Sequence, residues 1–214
     1  IVPVHEVGEV AGQPYYTMTY VEGTDLRDYV FDKEPDRREI CRLMIEICKA
    51  VDHAHQHGII HRDLKPGNIM VNIHGQVQIL DFGLARVARE EGEGEGEMSM
   101  LTVSGDILGT PRYMSPEQAL GKPGEIDGRT DVYSLGVILY EITVGMPPYN
   151  MDGLTGMRAL EVVREADPLR PSLVHPMFPS DLESVLLKAL EKEKNNRYRK
   201  AVDLAEDLEN FLAD

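Results

Sequence analysis

The sequence predicts an α+β protein in which a mostly helical lobe is preceded by a short β-rich stretch. Residues 1–21 have alternating apolar positions on either side of a Gly12-Gln13-Pro14 turn, and this pattern predicts two strands. From residue 36 onward, apolar residues recur at helical spacing in several segments separated by glycine and proline. Within this helical part, two short apolar runs flank His74-Gly75 in residues 69–80, which predicts a second, two-stranded hairpin.

The length and charge of the chain limit its domain organisation and partners. A chain of 214 residues can bury a sizeable core and most simply forms one domain. It has no apolar run of about eighteen residues that would predict a membrane-spanning helix, and no charged-then-apolar leader. Its net charge of −15 argues against nucleic acid and membrane contact within this chain. Because the chain begins with Ile1, we expect a piece of a longer cytoplasmic protein, with any membrane anchor outside this segment.

Cysteine and histidine residues could suggest a metal or redox site, and their spacing argues against both. Cys41 and Cys48 lie seven residues apart in a helical pattern, so we expect two reduced, buried thiols on one face. His53, His55 and His57 are spaced two apart, which places them on different faces of a helix. We therefore expect a solvated helix end here and no metal site.

Capping residues and apolar periodicity predict where the helices begin and end. Residues 132–144 are apolar on nearly every face, which is typical of a helix buried at the centre of a lobe, and Gly58 is expected to end an earlier helix. Three helix starts are predicted: Thr24 for a short helix, Asp36 with Glu39 for a longer one, and Ser180 with Glu183 as a capping box near the end of the chain.

Two polar loop segments flank the hairpin of residues 69–80. Residues 61–68 read HRDLKPGN, and Asp81 begins the tripeptide DFG. The strand pair between them should bring Asp63, Asn68 and Asp81 to one end of a small sheet. One carboxylate would then be free to accept a proton, while an amide and a second carboxylate would suit a hard cation such as Mg²⁺, which takes oxygen ligands.

HRDLKPGN followed by DFG is similar to the catalytic and metal-binding loops of eukaryotic-type protein kinases. Three further motifs follow in the family's order: GTPRYMSPE at residues 109–117, DVYSLG at residues 131–136, and Arg197, where the family keeps an arginine for the Pro-Glu. Lys65, two places after Asp63, is typical of the serine/threonine form. GTPRYMSPEQ in particular resembles bacterial members of the family.

The resemblance implies a fold, substrates and a set of catalytic residues. The fold would be protein-kinase-like, and the substrates would be ATP, with Mg²⁺, and proteins that carry Ser or Thr hydroxyls. Asp63 would accept or orient the hydroxyl proton, Lys65 would lie near the transferred phosphoryl group, and Thr110 would line the site. Asn68 and Asp81 would hold Mg²⁺ against the nucleotide phosphates.

Further roles are implied for residues on either side of this centre. Tyr20 and Val21 would be hinge residues whose backbone groups hydrogen-bond the adenine edge, with Met18 guarding the pocket behind it. Gly83 would let the backbone turn after the metal ligand. Residues 1–21 would be a remnant of the family's small lobe and hinge, and residues 22–214 the large helical lobe.

The expected activation segment, residues 81–117, contains a run of glutamate and glycine at residues 90–97 that predicts disorder. This run is either a solvated insertion without function or a competitor for Arg62 that damps activity. The resemblance further implies regulatory phosphorylation at Thr102, which is favoured, and at Ser104. The charge of Arg62, beside Asp63, would attract such a phosphate.

The resemblance stops at the small lobe. A glycine-rich phosphate-covering loop, the strand lysine and its partner glutamate are not found ahead of the hairpin, so we expect residues 1–214 alone to bind ATP weakly and to transfer phosphate slowly or not at all. That lobe of the parent chain would be a partner of this segment. Two alternatives remain: a pseudokinase or scaffold that only binds, and a small-molecule kinase of similar fold.

Overall fold

The computed structural model describes residues 1–82 and 111–213, and within these ranges the chain forms a small β-rich end and a helical body. The strands are β1 (Val4–Val10), β2 (Gln13–Met18), β3 (Gly23–Asp25), β4 (Ile69–Asn72) and β5 (Val77–Ile79). The α-helices are α1 (Leu26–Lys33), α2 (Arg37–Gln56), α3 (Pro116–Ala119), α4 (Gly128–Val144), α5 (Met157–Glu165), α6 (Pro171–Val174), α7 (Ser180–Ala189) and α8 (Ala201–Ala213). Single 3₁₀ turns lie at Pro66–Asn68, Pro111–Tyr113, Pro123–Glu125 and Lys194–Asn196. The predicted α+β class with a mainly helical lobe is confirmed.

The predicted hairpin beside the loop of residues 61–68 is part of a three-stranded antiparallel sheet in the order β3-β4-β5. The sequence prediction of two strands is therefore incomplete, because Thr24 pairs with Val71 and adds a third strand. Gly23 permits this pairing, since a Cβ atom on it would lie only 2.1 Å from the Val71 carbonyl oxygen. The prediction that Thr24 caps α1 is also wrong, because the cap is Asp25, whose carboxylate accepts a hydrogen bond from the Asp28 amide at 3.0 Å.

Two other predicted helix boundaries have different outcomes. Asp36 caps α2 and its carboxylate accepts a hydrogen bond from the Glu39 amide at 2.8 Å, as predicted. The capping box predicted at Ser180 is wrong. Helix α7 begins there after Pro179 without a side-chain cap, and the Glu183 carboxylate accepts a hydrogen bond from the Ser172 amide at 2.6 Å instead.

Helix α4 lies at the centre of the helical body and is buried on nearly every face, as the sequence predicts. It packs against α2, α7 and α8, and α2 also packs along α8. Cys41 and Cys48 lie buried in this core as free thiols, which confirms that prediction. Burial raises the pKa of the Cys41 thiol to about 11, so this thiol stays protonated at neutral pH.

The β1-β2 hairpin stands apart from the helical core. It leaves several apolar side chains exposed, namely Val4, Val7, Val10 and Met18. It is nevertheless attached to the second sheet, because the buried Val2 donates its amide hydrogen to the Ile79 carbonyl at 2.9 Å. Among the helices that the structure describes, none is long and apolar enough to cross a lipid bilayer.

Candidate active site

The carboxylate of Asp131, in the first turn of α4, holds the loop of residues 61–68 in place by hydrogen bonds to its backbone. The backbone amides of His61 and Arg62 donate to its two oxygens at 2.8 and 2.9 Å. His55 Nε2 lies 2.7 Å from Oδ2 of the same carboxylate, which is fully buried. Arg62 adopts a positive φ of 68°, a conformation that residues other than glycine rarely take. Asp131 therefore fixes a strained turn of the loop.

His55 corrects a prediction made from the sequence. The spacing of three histidines predicts a solvated helix end, yet the His55 side chain is mostly buried and bound to Asp131. His53 and His57 do lie exposed, with His57 Nδ1 2.8 Å from the His53 carbonyl. The sequence offers no signal for the His55 contact because its partner lies 76 residues away.

His61 connects the loop to the strand that leads into Asp81. Its Nδ1 accepts a hydrogen bond from the Asp63 amide at 3.3 Å, and its Nε2 donates to the Leu80 carbonyl at 2.9 Å. The same ring meets the Phe82 ring edge-on, with centroids 4.7 Å apart. One buried imidazole thus sets the distance between the Asp63 side and the Asp81 side of the site.

Three polar side chains of the same loop, those of Asp63, Lys65 and Asn68, lie close together. Lys65 Nζ lies 2.8 Å from Oδ2 of Asp63, and the Asn68 amide nitrogen donates to the Asp63 carbonyl at 2.8 Å and to Oδ2 at 3.3 Å. Asn68 is buried, whereas the Asp63 side chain is 63% exposed. The structure therefore places an accessible carboxylate next to a cation, with an amide fixed beside both.

Asp81 lies at the neighbouring strand end. The Leu80 amide donates to the Asn68 carbonyl at 2.9 Å, which brings the backbone of residue 81 next to Asn68. Asp81 has a φ of 59°, and its Oδ1 accepts a hydrogen bond from the Tyr16 hydroxyl at 2.7 Å. This hydrogen bond and, to a smaller degree, burial raise the pKa of Tyr16. The paired carboxylate and amide oxygens are of the type that a hard cation such as Mg²⁺ takes, so the donor set fits that ion.

The residues expected to form a hinge connect β2 to β3. Tyr20 is exposed and Val21 is buried, while the exposed Met18 ends β2. The Glu22 carbonyl accepts a hydrogen bond from the Ile73 amide at 3.0 Å, which fastens this connection to the turn between β4 and β5. The connection therefore borders the same sheet that carries Asn68 and Asp81.

A buried ion pair stabilises the region after residue 110. Arg197 binds Glu117 in a bidentate manner, with both N–O distances 2.8 Å, and both side chains are almost fully buried. Burial opposes ionisation of Glu117, but the hydrogen bonds and charge of Arg197 outweigh it, so the pKa of Glu117 is lowered. The sequence prediction that Arg197 partners this Pro-Glu is confirmed.

Gln118 provides a second connection that the sequence analysis missed. Ser115 and Gln118 form a capping box at the start of α3, and the Gln118 amide nitrogen also donates to the Arg62 carbonyl at 2.7 Å. The signal was present, because Ser-x-x-Gln is a capping pattern. Its contact with the loop of residues 61–68 could not be predicted from spacing.

A third cluster, also missed, fastens residues 111–113 to α4. Glu141 accepts hydrogen bonds from the Tyr113 hydroxyl and from Arg112 Nη1, and Arg27 Nη2 donates to the Tyr113 hydroxyl at 2.9 Å. Burial and the Glu141 carboxylate raise the pKa of Tyr113 to about 12. These contacts hold residues 111–113 in place against α4.

Four predicted site residues lie outside the described residues. They are Gly83, Thr102, Ser104 and Thr110, together with the acidic run at residues 90–97. Of the predicted set, the structure brings Asp63, Lys65, Asn68 and Asp81 to one end of the β3-β4-β5 sheet.

Comparison with known proteins defines the class to which this site belongs. The family model for the protein kinase domain matches residues 1–207. The chain therefore belongs to the protein kinase family, whose members in general use ATP and Mg²⁺.

Individual relatives agree with this assignment. The chain is 41% identical over 213 residues to "Serine/threonine-protein kinase PknB" of Mycobacterium tuberculosis (strain ATCC 25618 / H37Rv), and 42% identical over 214 residues to the protein of the same name from Mycolicibacterium smegmatis. It is 36% identical over 208 residues to "Probable serine/threonine-protein kinase PknB" of Bifidobacterium longum. These alignments cover 97% of the chain but only 29–32% of each relative, so the chain spans about a third of their length.

Proposed function

We propose that this chain carries the phosphoryl-transfer site of a serine/threonine protein kinase that phosphorylates hydroxyl groups of proteins with ATP. The observation that carries the proposal is that the side-chain nitrogens of Lys65 and Asn68 both lie within 3.3 Å of Oδ2 of Asp63. Asp81 lies next to this group. Membership of the protein kinase family and relatives named as serine/threonine kinases support the same conclusion.

Asp63 is the residue that would receive or orient the proton of the attacking hydroxyl. In the reaction, the substrate oxygen bonds to the γ-phosphorus, the bond from that phosphorus to the bridging oxygen breaks, and ADP leaves with the electron pair. Asp63 is exposed enough to meet a peptide hydroxyl, and Asn68 fixes its backbone. Lys65 is a half-exposed cation 2.8 Å from Asp63, and it would stabilise the charge of the transferred phosphoryl group.

Asn68 and Asp81 would hold Mg²⁺, which, when bound, neutralises charge on the phosphate oxygens. The connection at Tyr20 and Val21 would present backbone groups to the adenine. Thr110 would line the site on the peptide side. These roles rest on the matching motifs and on the positions of the described residues.

The proposal extends to domain organisation and regulation. Residues 1–21 would belong to the small lobe and hinge, and residues 22–214 to the large lobe, with an activation segment at residues 81–117. On its own this segment would bind ATP weakly and transfer phosphate slowly, because nucleotide would be held only from the hinge and metal side. Thr102 and Ser104 would be phosphorylated during activation, with Arg62 as the cationic partner.

A phosphate-transfer assay on the parent chain, including its small lobe, tests the proposal, with Asp63→Asn as the variant. Asparagine keeps the size of the side chain and loses its proton-accepting charge. We therefore expect the rate of phosphate transfer to Ser or Thr of a protein substrate to fall by about 10²–10⁴-fold. Asp32→Asn, on the exposed face of α1, is the control and should transfer at the wild-type rate.

The outcomes separate the alternatives. An Asp63→Asn protein that remains fully active would overturn the role of Asp63. A folded wild-type parent chain that binds ATP but transfers no phosphate would favour a scaffold or pseudokinase. Transfer to a small metabolite but to no protein would favour a small-molecule kinase. Phosphopeptide mapping of the active protein should find Thr102 or Ser104 modified, and the regulatory proposal fails if neither carries phosphate.

A further inference from the structure

The contact between Tyr16 and Asp81 joins the β1-β2 hairpin to the Asp81 side of the site. The Tyr16 hydroxyl donates to Oδ1 of Asp81 at 2.7 Å, although the two residues are 65 positions apart in the sequence. Within residues 1–82 and 111–213, no other side chain hydrogen-bonds this carboxylate. None of the motifs singled out in the sequence includes Tyr16.

The β1-β2 hairpin determines where this hydroxyl lies. Tyr16 pairs with Val7 in the antiparallel register, and the hairpin is anchored close by, where the Val2 amide donates to the Ile79 carbonyl, two residues before Asp81. Successive side chains of a strand point to opposite faces. The preceding residue, Tyr15, accordingly donates its hydroxyl to Glu6 at 3.1 Å, away from Asp81.

The backbone of Asp81 gives this contact its importance. Its φ of 59° lies in the left-handed region, where a residue with a side chain has few stable arrangements. The backbone on the N-terminal side is fixed by the Leu80 hydrogen bonds to Asn68 and His61. Tyr16 adds a fixed partner at the carboxylate itself, so that both ends of the residue are held.

We infer that Tyr16 is a positioning residue that orients the Asp81 carboxylate for a divalent cation. This inference rests on the proposed function, in which Asp81 is a metal ligand. An ionised carboxylate has about four lone-pair sites, so one hydrogen bond at Oδ1 leaves the others for a cation. Outer partners of this kind fix the orientation of a ligand, and their loss typically weakens metal binding by about 10–100-fold.

The alternative to this inference is that Tyr16 hinders binding of the cation. If the hydroxyl occupied the position that the cation needs, Tyr16 would compete with the metal, and its removal would tighten binding. The two cases differ in the sign of one measurable quantity, the dissociation constant for the metal.

The experiment measures Mn²⁺ binding to the parent chain by electron paramagnetic resonance, with Mn²⁺ in place of Mg²⁺ and an ATP analogue whose β–γ bridge is methylene. Tyr16→Phe removes one oxygen atom, and we expect the Mn²⁺ dissociation constant to rise by about 10–100-fold. Tyr15→Phe is the matched control, because Tyr15 has nearly the same exposure on the other face of the same strand, and its affinity should equal that of the wild type. The Tm of each variant in the absence of metal checks that the fold is kept.

Two further variants make failure of the inference distinguishable from failure of the proposed function. Asp81→Asn should weaken Mn²⁺ binding, and adding Tyr16→Phe to it should weaken binding no further. If Asp81→Asn binds Mn²⁺ as the wild type does, the metal-ligand role of Asp81 is wrong and the inference falls with it. If Asp81→Asn is weak but Tyr16→Phe matches Tyr15→Phe, or binds more tightly than the wild type, the inference alone is overturned. An additional loss in the double variant would also overturn it, since the effect would not pass through Asp81.

Discussion

Acidic side chains in the helical body differ in burial and hydrogen bonding from those at the end of the β3-β4-β5 sheet. In the helical body, the Asp131 and Glu117 carboxylates are almost fully buried, and each takes part in three hydrogen bonds. At the sheet end, Asp63 is mostly exposed and Asp81 is partly exposed. The described side-chain partners of Asp63 are Lys65 and Asn68, and the partner of Asp81 is Tyr16.

This difference follows from the physics of charge burial. A buried carboxylate must have its hydrogen bonds satisfied permanently, because an unpaired charge away from water is very costly. An exposed ion pair contributes at most about 1 kcal/mol, so it can be exchanged for a ligand at little cost. The buried carboxylates therefore hold the loop and helices in place, whereas the carboxylates at the sheet end stay accessible to a ligand.

The largest effect should come from breaking the buried pair. Arg197→Met leaves the Glu117 carboxylate buried without its bidentate partner, and we expect the free energy of unfolding to fall by about 3–5 kcal/mol. Urea unfolding of the purified protein, followed by circular dichroism, measures the change.

Two comparison variants sharpen this test. Replacing both partners, Arg197→Met with Glu117→Leu, should recover much of the loss, because no unpaired charge then remains in the core. Lys122→Met breaks an exposed pair with Glu125, whose N–O distance is 3.1 Å, and should cost no more than about 1 kcal/mol. Equal losses for Arg197→Met and Lys122→Met would contradict the distinction between the two regions.

A smaller effect on stability, but a marked one on catalysis, is expected at Asp131. In Asp131→Asn an amide replaces one carboxylate oxygen that accepts from the His61 or Arg62 amide, so one buried donor loses its partner, at about 1–3 kcal/mol. Because the loop then loses its fixed turn, we expect kcat of the parent chain to fall more than KM for ATP rises. Steady-state kinetics and Tm measure both quantities. His55→Ala removes only one of the three contacts and should have the weaker effect, and the reverse order would show that the loop is not held through its amides.

Much of this arrangement could be predicted from the sequence, because it depends on contiguous motifs. HRDLKPGN and DFG identify Asp63, Asn68 and Asp81, and the short hairpin between them brings them together. The pairing of Arg197 with Glu117 was also predictable, but only from the resemblance to a family. The contact of Tyr16 with Asp81 and that of His55 with Asp131 were not, since they join residues more than 60 positions apart without a motif.

Local patterns failed where tertiary contacts decide between equal candidates. Ser115 with Gln118 and Ser180 with Glu183 both fit the capping-box pattern, yet only the first forms one. Glu183 is instead bound to the Ser172 amide, a partner that sequence spacing does not reveal. Strand β3 was missed for a related reason, because three residues are too few to show alternation, and its pairing depends on the small size of Gly23.

The smallest effect concerns Asp127, a half-exposed acidic residue between the two extremes. It caps α4, and although burial opposes its ionisation, hydrogen bonds and charge from Arg129, with a contribution from Lys194, lower its pKa from 3.8 to about 2. Because the pKa is lower in the folded state, the stabilisation is fully present above pH 3.8 and is lost as the pH falls towards 2.

Asp127→Asn keeps a capping oxygen and removes the charge, so the free energy of unfolding should fall by less than about 1 kcal/mol at pH 7. Urea unfolding at several pH values should show the gap to the wild type closing below pH 3.8. A gap that stays constant down to pH 2 would mean that the Asp127 charge contributes nothing and that only its capping geometry matters.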